Sequence, residues 1–172
     1  MIYWFTGQPG AGKTTLAKHL VTYFENKNVI QIDGDDLRDA LNQRASYDQS
    51  DREKLALSYA RLSHLIASQG PTVVISSIGL YSGVQSWMRE NIDCYVEVFL
   101  DASMELLISR DSRGIYSRSV SESGPVVGKD FSPQFPGNPE LHLVIDGSMS
   151  VDVCGDAVLL AFEKVKQERG AK

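Results

Sequence analysis

The residues Gly7-Gln8-Pro9-Gly10-Ala11-Gly12-Lys13-Thr14 fit the pattern Gly-x-x-x-x-Gly-Lys-Ser/Thr, and the chemistry that pattern serves is the holding of a polyphosphate. Glycines let the chain turn tightly enough for successive backbone N–H groups to point at phosphate oxygens. A helix beginning near Lys13 adds its positive dipole end. Lys13 is placed to sit against the β- and γ-phosphates of ATP, and the Thr14 hydroxyl to coordinate the Mg²⁺ that bridges them. Thr15 is a lesser candidate, for the α-phosphate. The alternative is a glycine-rich turn with no ligand, but an apolar strand before it and an amphipathic helix after it are the context that phosphate binding requires.

A second reactive group, Asp33-Gly34-Asp35-Asp36, follows the apolar run Val29-Ile30-Gln31-Ile32. Carboxylates there lie at the C-terminal edge of a strand, where open α/β sheets bind ligands. One of them can take or orient the proton of an acceptor hydroxyl and help hold Mg²⁺, while Arg38 grips an anionic group of the acceptor. Phosphoryl transfer needs a carboxylate facing the γ-phosphate, which favours Asp33 as the catalytic partner of Lys13 and the metal-binding partner of Thr14. Asp33 and Asp35 are also placed to cap a helix starting near Leu37. Which carboxylate is essential stays open.

The elements that must position these residues alternate along the chain. Apolar runs at Ile2–Thr6, Val29–Asp33, Thr72–Ser76, Tyr95–Leu100 and Leu141–Asp146 predict buried strands. Between them, Leu16, Leu20, Tyr23 and Phe24 keep helical spacing, as do Leu55, Tyr59, Leu62, Leu65 and Ile66. Gly70-Pro71 ends the second of these helices. Further helices are predicted over Val84–Asn91, Ser103–Asp111 and Val151–Glu168. Such alternation predicts an α/β fold of one domain, a parallel sheet covered by helices on both faces. Gly114–Pro139 breaks the rhythm with many Ser, Gly and Pro, yet keeps Val126, Val127, Phe131 and Phe135, which a solvated linker does not need. It is predicted to be a lid or substrate loop.

Composition narrows the partners. The chain of 172 residues is 42% hydrophobic, enough for a sizeable core. Its formal net charge of -5 gives no overall positive field to hold a long nucleic acid or an anionic membrane. Cys94 and Cys154 stand apart with no Cys/His cluster, as expected of two packed thiols in a reducing compartment. No apolar run reaches the roughly 18 residues of a membrane span, and the first residues do not read as a secretory leader. A cytoplasmic protein with a small-molecule substrate is expected.

With these motifs in place, the sequence resembles the adenylylsulfate kinase family over most of its length. Ile32–Arg38 is similar to that family's LDGDNVR, Asp51-Arg52-Glu53 to its DRE, and Arg110–Tyr116 to its RDPKGLY. Ile78-Gly79-Leu80-Tyr81 stands where the family has ISPY, and Gly128-Lys129-Asp130 through Pro136 is similar to its substrate-closing loop. The resemblance implies MgATP-dependent phosphorylation of the ribose 3'-hydroxyl of adenosine 5'-phosphosulfate, and a homodimer. It assigns Arg110 and Arg113 to the ATP side as lid residues, although two exposed arginines also suit a solvated helix end. Asp35, Arg38 and Arg52 would face the acceptor, with Ile78, Tyr81, Gly128 and Lys129 around it.

The departures fall on the acceptor side. Where family members have DRxxNxRR, Leu55, Leu57 and Ser58 replace the Asn and the two Arg. Ser77 and Val126 replace the two phenylalanines expected to sandwich the acceptor adenine, and Asp36 replaces an Asn. A base–aromatic stack is worth roughly 1–3 kcal/mol, so their loss would weaken adenylylsulfate binding unless Phe131, Phe135 or Tyr81 rebuilds it. A kinase of another nucleotide-like acceptor, such as cytidine diphosphoramidate, therefore stays open. So does a nucleotide-binding module without catalysis, against which stand Lys13, Thr14 and Asp33.

Overall fold

A computed structural model describes residues 1–24, 28–42, 49–111, 114–119 and 125–170. In chain order the elements are β1 (Ile2–Gly7), α1 (Lys13–Tyr23), β2 (Val29–Asp33), α2 (Gly34–Ala40), α3 (Gln49–Ala67) and β3 (Thr72–Ser76). They continue with α4 (Ser82–Asn91), β4 (Tyr95–Ala102), α5 (Met104–Ser109), β5 (Leu141–Ile145) and α6 (Val151–Gly170). The five strands form one sheet in the order β2-β3-β1-β4-β5, every neighbouring pair parallel.

The strand β1 is central because it is apolar on both faces, and the period-two alternation of a strand sorts its side chains. Tyr3 and Phe5 enter the layer formed by Leu16, Ala17 and Leu20 of α1 with Val158 and Phe162 of α6. Ile2 and Trp4 enter the opposite layer, with Ala56, Tyr59 and Ala60 of α3 and Val84 and Met88 of α4. Burying a side chain of this size stabilises the fold by roughly 1.5–3 kcal/mol, and Ile2, Tyr3, Trp4 and Phe5 are all essentially inaccessible. Sequence order places β1 first and topology places it in the middle, so the loop leaving it opens at the centre of the sheet's C-terminal edge.

The helix α2 begins at Gly34, three residues before the expected start near Leu37, because Asp33 is its N-cap and accepts a hydrogen bond from the Asp35 backbone N–H at 2.9 Å. No linker separates strand from helix. An ionisable group lies under the sheet at Glu97 of β4, which is fully buried and paired to Arg89 of α4. Its backbone N–H donates to the Glu140 carboxylate at 2.7 Å. Among the described residues, no helix is long and apolar enough to cross a membrane.

Candidate active site

The glycine-rich loop runs from the end of β1 into α1, where Gly12 takes the N-cap position with φ 100°, a left-handed conformation that side chains disfavour. Lys13 and Thr14 thereby occupy the first turn. Lys13 Nζ donates to the Gln8 carbonyl at 2.7 Å, bridging the base of the loop. Thr14 Oγ1 donates to Asp33 Oδ2 at 2.7 Å. That oxygen also accepts from Ser76 Oγ at 2.8 Å, because Asp33 and Ser76 are register partners at the ends of β2 and β3.

Asp33 thus caps α2 through one oxygen and collects two hydroxyls through the other. Partial burial acts to raise its pKa. The hydrogen bonds from Thr14, the Asp35 N–H and Ser76, with the Lys13 charge, outweigh burial and hold the carboxyl below its usual range. A carboxylate so stabilised is a weak base and a good cation ligand and hydroxyl orienter.

A cavity of about 420 Å³ joins this centre to the far side of the site. Its loop end is lined by Pro9, Gly10, Gly12, Lys13, Thr14 and Thr15, and Asp33, Gly34 and Ser76 lie between the two ends. The other end is lined by Asp35 and Arg38 of α2, Arg52, Leu55, Ala56 and Tyr59 of α3, and Ser77, Ile78, Gly79 and Tyr81. Pro125, Val126 and Val127 close over it. Arg38 is held by Asp35 of its own helix at 2.9 Å.

Among the described residues, the other expected site residues do not line the cavity. Gly7, Gln8 and Ala11 form the wall of the phosphate loop behind it, and Gly128, with φ 91°, packs on Gln8, whose amide a side chain there would strike. Lys129 does not line the cavity; it donates to the Arg118 carbonyl at 2.7 Å. Arg110 is exposed at the end of α5, near Gly147. Arg113 lies outside the described residues. Of the aromatics considered for a rebuilt stack, Tyr81 lines the cavity, Phe131 packs with Leu80, Phe99 and Val127, and Phe135 packs against Phe99.

Sequence reasoning missed three contributors. Ser76 was visible only as the last residue of a strand. Tyr59 belonged to the apolar stripe of α3, and only its spacing of seven residues from Arg52 signals a shared face. Tyr116 was part of a recognised segment without a role; its hydroxyl donates to the Pro9 carbonyl of the phosphate loop at 2.7 Å. Asp111 holds the turn that delivers it, accepting from the backbone N–H groups of Ile115 and Tyr116, each at 2.7 Å.

A parallel sheet with a phosphate loop at the end of its central strand defines a P-loop nucleotide-binding protein. Within that class the chain belongs to the adenylylsulphate kinase family, whose profile matches residues 1–144, and it is a kinase acting on a hydroxyl group. It is 35% identical over 150 residues to the cytidine diphosphoramidate kinase of Campylobacter jejuni, covering 86% of each chain. It is 32% identical over 168 residues to the adenylyl-sulfate kinase of Chloroflexus aurantiacus, covering 96% of this chain and 90% of the relative. The APS kinase of Mycobacterium tuberculosis, solved with AMPPNP and APS, superposes with a TM-score of 0.84 at 26% identity, over 94% of this chain and 96% of the other.

Proposed function

We propose that the protein transfers the γ-phosphoryl group of ATP to a ribose hydroxyl of a small nucleotide carrying an acidic 5' group, with adenosine 5'-phosphosulfate as the first candidate. The observation that carries this reading is the continuous cavity from Lys13 and Thr14, past Asp33, to Arg38 and Arg52. A donor phosphate at one end and an acceptor anion at the other leave the acceptor hydroxyl beside Asp33. Holding both reactants in one orientation is itself a large share of such catalysis.

The oxygens of Thr14 and Asp33 suit Mg²⁺, which prefers oxygen ligands and keeps several waters. Thr14 donates its own proton to Asp33, so its lone pairs stay free for a cation. Bound there, Mg²⁺ would neutralise charge on the β- and γ-phosphates. Lys13 adds a second positive charge at the loop. Asp33 orients the acceptor hydroxyl through an oxygen of its carboxylate; as that hydroxyl oxygen bonds the γ-phosphorus, the bond from phosphorus to the bridging oxygen breaks, ADP is the leaving group, and the hydroxyl proton passes to the Asp33 carboxylate and on to solvent.

The second reading, a cytidine diphosphoramidate kinase, is favoured by the non-aromatic Ser77 and Val126 on the acceptor wall and by the Campylobacter relative. Incubation with MgATP and a panel of nucleotides, followed by mass spectrometry, separates the readings. Phosphorylation of adenylylsulfate in preference to the cytidine compounds supports the first, the reverse preference supports the second, and no phosphorylated nucleotide overturns both.

A further inference from the structure

Four polar atoms on the walls of the cavity are shielded from solvent: Nε of Arg38, Nε of Arg52 and the Ser77 hydroxyl have no hydrogen-bond partner, and the Tyr59 hydroxyl has only the Arg38 guanidinium beside it, a donor that leaves the phenol proton without an acceptor. Unpaired buried polar groups are rare in folded proteins and destabilising. Half of the buried side-chain atoms of this kind among the described residues lie around this one cavity, the others elsewhere in the fold, and so many donors facing one space point to an acceptor-rich ligand. Arg38 and Arg52 can only donate. Burial pushes the Tyr59 phenol up, and Arg38 opposes it through its charge and through a hydrogen bond; Tyr81 feels both Arg38 and Arg52. An acid group with several free oxygens satisfies such donors together, whereas a base edge offers too few acceptors.

Position on α3 adds a second argument. Arg52, Leu55, Ala56 and Tyr59 share one face at the spacing of successive turns. Leu55 stands where the family pattern has Asn, so that turn offers the acceptor no polar atom. One turn further on, Tyr59 does. It is only 4% exposed, and an apolar residue would have filled the same space without a hydroxyl whose proton lacks an acceptor.

We propose that Tyr59 is a specificity-determining residue of the acceptor site, its phenol donating to an oxygen of the acid group that Arg38 and Arg52 grip. This rests on the kinase reading for the presence of an acceptor. The acid group is a phosphosulfate or a phosphoanhydride, two sources of one chemistry.

Calorimetry of the full chain and its Tyr59→Phe variant with adenosine 5'-phosphosulfate, CDP and ADP tests the proposal, with adenosine and cytidine as probes lacking the acid group. The probe that the wild type binds at the acceptor site is expected to lose about tenfold or more in affinity, the worth of a hydrogen bond to an anion. Whether that probe is the phosphosulfate or CDP identifies the acid group. Affinity for ADP at the phosphate loop and for the nucleosides should not change. In turnover, acceptor KM should rise while kcat stays within about threefold. The ligand-free melting temperature should stay close to that of the wild type, since the phenol proton has no acceptor in the fold and the neighbouring Arg38 keeps Asp35; a structural hydroxyl would lower it clearly. Unchanged acceptor affinity, or an equal loss for the nucleosides, overturns the proposal. Binding of neither acid-bearing probe by the wild type also overturns it, while transfer to some other acceptor would leave the kinase reading standing. A wild type that binds a probe but transfers nothing to any nucleotide would instead sink the kinase reading.

Discussion

Thr14 and Asp33 share a hydrogen bond of 2.7 Å that ties the first turn of α1 to the end of β2. In the proposed reaction this registers the group that would handle the donor phosphates against the one that would face the acceptor. Asp33→Asn keeps the shape but cannot offer a charged oxygen to Thr14 and Ser76. The expected result is a loss of about 10²–10⁴-fold in kcat with ADP binding retained. Asp35→Asn frees Arg38 and should change acceptor KM more than kcat. Steady-state kinetics of both variants decide which carboxylate is essential. If Asp35→Asn is the one that loses kcat, the roles are reversed.

Tyr116 couples the loop after α5 to the phosphate loop through the Pro9 carbonyl. Burial, with Asp111 adding to it, pushes its phenol up to about 12, so it remains a proton donor throughout the physiological range. Tyr116→Phe should raise ATP KM by roughly 3–10-fold, as expected for one lost hydrogen bond, with acceptor KM unchanged. We propose that residues 114–139 act as a lid. Limited proteolysis should cut it in the free protein and spare it when ADP and acceptor are both bound. Equal cleavage in the two states would make it a plain surface loop.

Much of this arrangement was legible in the sequence. All five strands are found where apolar runs predict them, because a sheet covered on both faces requires near-continuous hydrophobicity. The phosphate loop was legible because backbone geometry dictates its glycines. Tertiary contacts were not. Nothing local says that Ser76 pairs with Asp33 across two strands, or that Gly128 rests on Gln8. Leu65, spaced as though part of the buried stripe of α3, is exposed, since periodicity defines a face but not how far the neighbouring layer covers it.

Ser77 and Val126 bear on base preference. Both line the cavity and both are buried. Ser77→Phe with Val126→Phe should improve kcat/KM for adenylylsulfate by up to about tenfold per stack. The two changes should couple, because a sandwich needs both faces. Overpacking is expected to cost about 1–3 kcal/mol of stability, read as a lower melting temperature. Wild-type protein that already prefers adenylylsulfate, with no gain in the double variant, would show that stacking is supplied elsewhere, Tyr81 being the residue to test.

Glu97 gives stability a pH dependence. Burial holds its carboxyl above the usual range despite the pull of Arg89, and Glu140 adds to the rise. Between the unfolded and the folded pKa the folded chain therefore keeps a proton that the unfolded chain has released. Its contribution is fully present below the unfolded carboxyl's pKa and is lost as pH rises through the elevated one. Glu97→Gln does not titrate. Its melting temperature relative to wild type should move in the variant's favour as pH rises from the ordinary carboxylate range, about pH 4, through the elevated pKa of Glu97. A difference independent of pH would show that the two states bind this proton equally.

The most direct test of the account follows the phosphoryl group itself. Protein is incubated with γ-labelled ATP, Mg²⁺ and either adenosine 5'-phosphosulfate or a cytidine 5'-diphosphate derivative, and the products are separated for label. The account predicts label in the nucleotide acceptor for the wild type and none for Lys13→Ala, a variant that should stay folded because Lys13 lies at the cavity rather than in the core. Label released only as inorganic phosphate whatever nucleotide is present, or transfer undiminished in Lys13→Ala, would contradict it.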